Sequence, residues 1–189
     1  KMNRLITKLN SVLPISLEEQ NLIENNINLE TINKGEIYSE RGKICRKLGF
    51  VLDGVFKVVR TNSNDDEFIQ YFTTEGHFAV DIDSFTNKTP SKEYIKALTR
   101  CSVLTITDNS FKLFEDKIVN FSKIISLIKE QALLEKYNLK SEMFVDDALT
   151  KYNKLLQRHP SIIQRIPQNQ IASFLGITQY TLSRIRAKK

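Results

Sequence analysis

The last 22 residues, Gln168 to Lys189, constrain this chain most, because they fit two short amphipathic helices sharing one glycine-containing turn. Ile171 and Leu175 lie four apart and Leu182 and Ile185 three apart, so each pair shares a helix face. Phe174 and Ile177 add apolar bulk near the crossing, and Ala172 is small enough for two helices to approach. Gly176 falls where the chain must turn sharply, in a left-handed conformation that costs other residues about 1–2 kcal/mol. Thr178 stands at the N-cap of the second helix and Pro167 just ahead of the first. The outward positions of the second helix are Gln179, Tyr180, Ser183 and Arg184. Arginine can bond two acceptors of guanine, and glutamine can do the same to adenine. Arg186, Lys188 and Lys189 add charge suited to phosphates. A generic helical hairpin requires none of these coincidences. A helix-turn-helix presents its second helix to the DNA major groove, so these seven side chains and Thr178 are the expected DNA contacts.

The charge is placed accordingly. Residues 1–145 hold 20 Lys and Arg against 20 Asp and Glu. Residues 146–189 hold eight Lys and Arg against Asp146 and Asp147, so the whole net charge of +6 lies in this last segment. A neutral domain carrying a basic module is the electrostatic footprint of nucleic-acid binding.

A chain of 189 residues suits one large domain or two small ones, and 41% hydrophobic residues support a true core. No run is long and apolar enough for a membrane span, and the N-terminus lacks a signal-peptide core, so a cytoplasmic location is expected. Cys45 and Cys101 sit in strand-like apolar contexts and read as buried thiols. The chain has no phosphate-binding glycine loop, no HExxH and no GxSxG, and its two histidines, His77 and His159, are far apart in sequence; an enzyme is not expected.

Ser16 to Glu19 reads as a capping box that starts a helix near Leu17, with a short helix before it around Leu5 to Leu13. From about Ile32 to Thr107, short β-branched and aromatic runs alternate with turn signals, predicting an antiparallel barrel or sandwich. Asp53-Gly54 between Gly49–Leu52 and Val55–Val59 reads as a hairpin. From Asp108 the texture is helical. Ile118, Phe121, Ile125, Ile128 and Ala132 step by 3, 4, 3 and 4, the spacing of a coiled-coil seam, and are the expected dimer interface. Ile124, Leu127 and Leu134 form a second stripe, so one stripe can meet the barrel and the other a partner chain. A helix from Asp116 to Phe144 would span about 43 Å at ~1.5 Å per residue.

A roll of short strands, a long helix and a C-terminal helix-turn-helix, in this order, resemble the Crp–Fnr family of bacterial transcription regulators over nearly the whole chain. The strongest residues are Gln170-Ile171-Ala172-Ser173-Phe174-Leu175-Gly176-Ile177-Thr178 and Thr181-Leu182-Ser183-Arg184-Ile185. The turns at Gly35-Glu36, Asp53-Gly54 and Glu75-Gly76-His77-Phe78 add weaker support, and Phe144-Val145-Asp146 looks like the family's hinge. The resemblance implies an α+β fold with an N-terminal β-roll of the cyclic-nucleotide-binding type over residues 1–115. A dimerisation helix over 116–144 and a helix-turn-helix domain over 145–189 would follow. It also implies a homodimer on a pseudo-palindromic double-stranded operator, contact with RNA polymerase, and a small-molecule effector. Gln179, Tyr180, Ser183 and Arg184 fall where the family reads bases; of these, Arg184 matches the commonest choice. Arg158 to Pro167 is short for a full wing hairpin.

Family members that bind a cyclic nucleotide offer Gly-Glu, then Arg-Ser, around the ribose and phosphate. Here Val80-Asp81 and Ser91-Lys92 stand there, with no arginine in register. Val80 restricts the backbone, and Asp81 and Asp83 repel phosphate, so this candidate effector pocket reads as degenerate, although Lys92 and Lys96 retain positive charge nearby. Two cysteines are too few for an iron–sulfur cluster, which needs about four. His77 alone makes no haem site, and Asp81 with Asp83 lacks a third metal ligand, so no cofactor or metal is expected. The alternative function is a ligand-binding regulatory module that does not bind DNA, which leaves the localised charge without a purpose.

Overall fold

A computed structural model describes residues 3–187; Lys188 and Lys189, two of the expected phosphate contacts, lie outside the described residues. Helices α1 (Asn3–Asn10) and α2 (Leu17–Asn25) open the chain. Ser16 and Glu19 form the capping box: Glu19 N–H donates to Ser16 Oγ and Ser16 N–H to Glu19 Oε2, at 3.2 and 2.7 Å. The strands are β1 (Asn28–Ile32), β2 (Ile37–Ser39), β3 (Lys47–Asp53), β4 (Phe56–Thr61), β5 (Glu67–Thr73), β6 (Phe78–Ala79), β7 (Glu93–Ala97) and β8 (Cys101–Thr107), with helix α3 (Ile82–Asn87) between β6 and β7. They make two four-stranded sheets, ordered β1-β8-β3-β6 and β2-β7-β4-β5, in which every pairing is antiparallel. Phe50, Phe56, Val58, Ile95 and Leu104 are buried in the roll.

The expected hairpin at Asp53-Gly54 is not one. β3 and β4 belong to different sheets, and the chain crosses between them at this point. Gly54 has φ +114°, and a Cβ there would meet Cys101 Sγ at 2.5 Å, so glycine serves a close crossing. The hairpin in this region is β4–β5, closed by Asn62, whose side-chain oxygen accepts from Asn64 and Asp66 N–H at 2.8 and 3.0 Å.

The expected single helix from Asp116 is also corrected. Helix α4 (Asp108–Lys117) ends, Ile118 turns extended, and α5 (Phe121–Val145) begins afresh. The break sends Ile118 into the core at 2% exposure, beside Phe114, Phe121 and Ile124 and against Leu5, Leu9 and Ile23 of α1 and α2. The break also bears on the residues expected at a dimer interface. Ile118 and Phe121 are buried in their own subunit, Ile125 and Ile128 pack against the same cluster, and Ala132 is half-buried. The apolar line that α5 leaves uncovered is Leu127, Leu134, Tyr137 and Phe144, with Leu133 beside it. Both stripes have the right period; contact with the roll decides which faces inward.

Helices α6 (Ala148–Arg158), α7 (Ile162–Arg165), α8 (Gln168–Leu175) and α9 (Gln179–Ala187) complete the chain. The segment expected to be short for a wing holds α7. Among the described residues, no helix is long and apolar enough to cross a membrane.

Candidate nucleic-acid interface and roll site

The C-terminal unit is built from its inward residues. Ile171, Ala172, Phe174, Leu175 and Leu182 are buried, with Ile177 and Ile185 packed against them. Gly176 takes φ +67° and its N–H closes α8 onto Ala172 and Ser173 carbonyls. Thr178 Oγ1 accepts from Thr181 N–H at 3.1 Å, capping α9. With Leu182 fully buried, Gln179, Tyr180, Ser183, Arg184 and Arg186 stand exposed on α9. Arg184 lies with its guanidinium carbon 5.8 Å from the Tyr180 ring centroid.

Sequence reasoning missed how this unit is mounted. α8 lies on β5, and Phe174 meets Phe72 with ring centroids 5.0 Å apart. Val55 and Phe72 of the roll share one core with Tyr152, Leu155, Ile162 and Ile166 of the helical segment. Arg165 donates to both oxygens of Glu75 at 3.0 and 2.7 Å and lies 3.6 Å from Asp53. Burial opposes the Glu75 charge, but Arg165 and the backbone N–H groups outweigh it and hold the carboxyl at about 2. His159 Nδ1 pairs with Thr74 Oγ1 at 3.2 Å, and burial, then the charges of His77 and Arg158, push its pKa down to about 4. Glu142 accepts from Arg158 at 2.7 and 2.6 Å, and Asp146 from Lys154 at 2.7 Å. Three of the eight cations that make residues 146–189 basic, Lys154, Arg158 and Arg165, are thus in internal ion pairs. Their partners are up to 90 residues distant, which no local pattern reveals.

In the roll, Asp81 and Ser91 come together. Asp81 is 7% exposed, caps α3 by accepting from Ser84 N–H at 3.1 Å, and accepts from Ser91 Oγ at 2.5 Å. Val80 lines a neighbouring groove, and Lys92 is exposed. Three members of this cluster were not anticipated. The Lys136 ammonium on α5 donates to Tyr71 Oη at 2.7 Å. The Glu93 carboxylate acts on Tyr71, and Asp81 adds its charge nearby. Burial, then Asp81, raises the Glu93 pKa, while Lys136 and Arg60 work against that rise. Burial lowers the Lys136 pKa, with Glu93 and Asp81 opposing. Lys136, Phe72, Val80, Phe85, Ile125 and Ile128 line a groove of about 720 Å³ between the roll and α5, within the range of small-molecule sites. Cys45 and Cys101 are free, buried thiols. Among the described residues, no group of three or more His, Cys, Asp or Glu could hold a metal ion.

Residues 29–116 match the family model of the cyclic nucleotide-binding domain. No curated protein matches the sequence significantly. Among solved structures, the c-di-GMP responsive global regulator CLP of Xanthomonas campestris is 13% identical, with TM-score 0.68, covering 92% of this chain and 91% of that one. FixK2 of Bradyrhizobium japonicum is 14% identical, with TM-score 0.72 and coverages of 86% and 83%. A candidate transcriptional regulator of the Crp/Fnr family from Eubacterium rectale is 15% identical, with TM-score 0.67 and coverages of 90% and 82%.

Proposed function

We propose that the protein is a sequence-specific, DNA-binding transcription regulator acting as a homodimer, from the premise that residues 29–116 match the cyclic nucleotide-binding domain model and that the chain shares the fold of Crp/Fnr transcription regulators. The observation that carries the reading is the polar and cationic outer face of α9. Gln179, Tyr180, Ser183 and Arg184 stand exposed there on one short helix whose opposite side is anchored by fully buried Leu182. Such a face can enter the major groove, with Arg184 bonding a guanine and Gln179 an adenine. Arg186 supplies phosphate contact, and Lys188 and Lys189 follow it in sequence. Thr178 stays with its cap.

The dimer forms along the line of Leu127, Leu134, Tyr137 and Phe144, which a partner helix covers by coiled-coil packing. Two α9 helices then reach half-sites about 34–36 Å apart, one turn of duplex. RNA polymerase and a small effector in the groove beside α5 are the further partners this reading carries. Ordinary cyclic nucleotides are disfavoured, since the neighbouring Asp81 and Glu93 carboxyls bring negative charge that repels a phosphate. Selection of bound duplexes from a random pool tests the function. A palindromic consensus, with affinity falling steeply as salt rises, is the expected result. Recovery of no sequence, with no salt-dependent binding, would favour the regulatory module without DNA.

A further inference from the structure

We propose that the roll contains an ammonium-binding site formed by Tyr71, Glu93 and Asp81, and that the chain fills this site with its own Lys136. The inference needs only the roll and α5, and stands whether or not the protein binds DNA.

The strands dictate the site. Tyr71 on β5 is opposite Val58 on β4, which is opposite Ile95 on β7. Glu93 lies two residues from Ile95, so it projects to the same face. Val58 and Ile95 are fully buried, so that face is the interior. Ser91 continues the strand line, and its hydroxyl ties Asp81 of the α3 N-terminus to the backbone of Glu93. Two carboxylates and a phenol oxygen therefore converge inside the roll, and acceptors of this kind bind donors. A phosphate brings more acceptors and more negative charge; an ammonium brings three donors and a positive charge.

Lys136 meets these requirements. Its Nζ donates to Tyr71 Oη at 2.7 Å and stands 4.3 Å from the ring centroid. The negative charges of Glu93 and Asp81 act on the same ammonium and favour its charged form against burial. Arg60, exposed near the end of β4 and opposite Glu93 in register, offsets the Glu93 charge. Lys136 also lies between Leu134 and Tyr137, so seating its ammonium fixes the rotation at which α5 shows its uncovered apolar line. The clamp between roll and helix is made by a side chain already attached to the helix.

The test is chemical rescue in the full-length protein, read as thermal unfolding. Lys136→Ala lowers Tm. Ethylammonium chloride then raises the Tm of this variant above its value in sodium chloride of equal ionic strength, because a ligand that binds the folded state stabilises it. Wild type, whose site is filled, shows no such difference, and neither does Lys136→Ala combined with Glu93→Gln. An equal effect of ethylammonium on wild type and Lys136→Ala would overturn the proposal, as would a rise in wild-type Tm with cyclic AMP. Should Lys136→Ala fail to fold, the Lys136 Nζ resonance of the intact chain answers the same question. A held ammonium exchanges its protons slowly and loses that protection in Glu93→Gln; a rapidly exchanging Nζ in wild type would refute the site.

Discussion

Arg165 and Arg184 lie nineteen residues apart in one cationic segment, yet the structure gives them opposite tasks. Arg165 is committed to Glu75 and Asp53 of the roll; Arg184 is exposed beside Tyr180. Arg184→Ala should weaken specific DNA binding by about 1–3 kcal/mol and relax preference at one base position, measured on operator variants. An equal loss on every sequence would reassign it to phosphate contact. The same segment also predicts the response to acid. His159 binds a proton near 6.5 when unfolded and at about 4 when folded, so the unfolded chain holds more protons between these values. Stability is full above pH 6.5 and falls towards pH 4, by about 3 kcal/mol at most if the shift is fully realised. Glu75 acts lower: its contribution is present above the unfolded value of 4.5 and is lost as pH falls towards 2. Denaturant titrations across pH should show the upper loss vanish in His159→Gln and the lower one remain. The sequence marks Arg165 and His159 as basic, but their partners Glu75 and Thr74 come from the roll, and no spacing rule predicts those.

Among the elements, the α8–α9 turn was legible because its constraints are local. Gly176, Thr178 and the apolar pairs all act within one turn of helix. Gly176 has nothing within 4 Å of an added Cβ, so Gly176→Ala should cost only backbone strain, about 1–2 kcal/mol, with Gly176→Asn milder. Thermal unfolding of both variants checks this; a larger loss would mean a packing role. α5 was legible in its period but not in its orientation. A 3,4 repeat identifies stripes, and only contact with α1, α2 and α4 makes Phe121 and Ile124 inward and Leu134 outward. Leu134→Glu should therefore yield a folded monomer by sedimentation, whereas Phe121→Glu should unfold the chain by burying an unpaired carboxylate. A Leu134→Glu dimer would put the interface elsewhere.

At the scale of the whole molecule, order along the chain and the roll were readable from texture, because alternating strands and amphipathic helices leave different periods. Which strand pairs with which was not. Asp53-Gly54 has the composition of a hairpin, yet the chain changes sheets there, a choice set by packing against Cys101. The seating of the C-terminal helices on the roll was likewise invisible, since Phe72 and Phe174 look like ordinary core residues of two separate domains. Phe174→Ala should cost about 3–5 kcal/mol, and calorimetry should show the roll and the helical segment melting apart where wild type melts once. Two transitions in wild type would mean the shared cluster contributes little. That common cluster also limits how this architecture can be recombined. A fragment severed after Val145 would leave Val55 and Phe72 open to water and prone to self-association. Any foreign reader grafted in their place would have to bring its own aromatic lid.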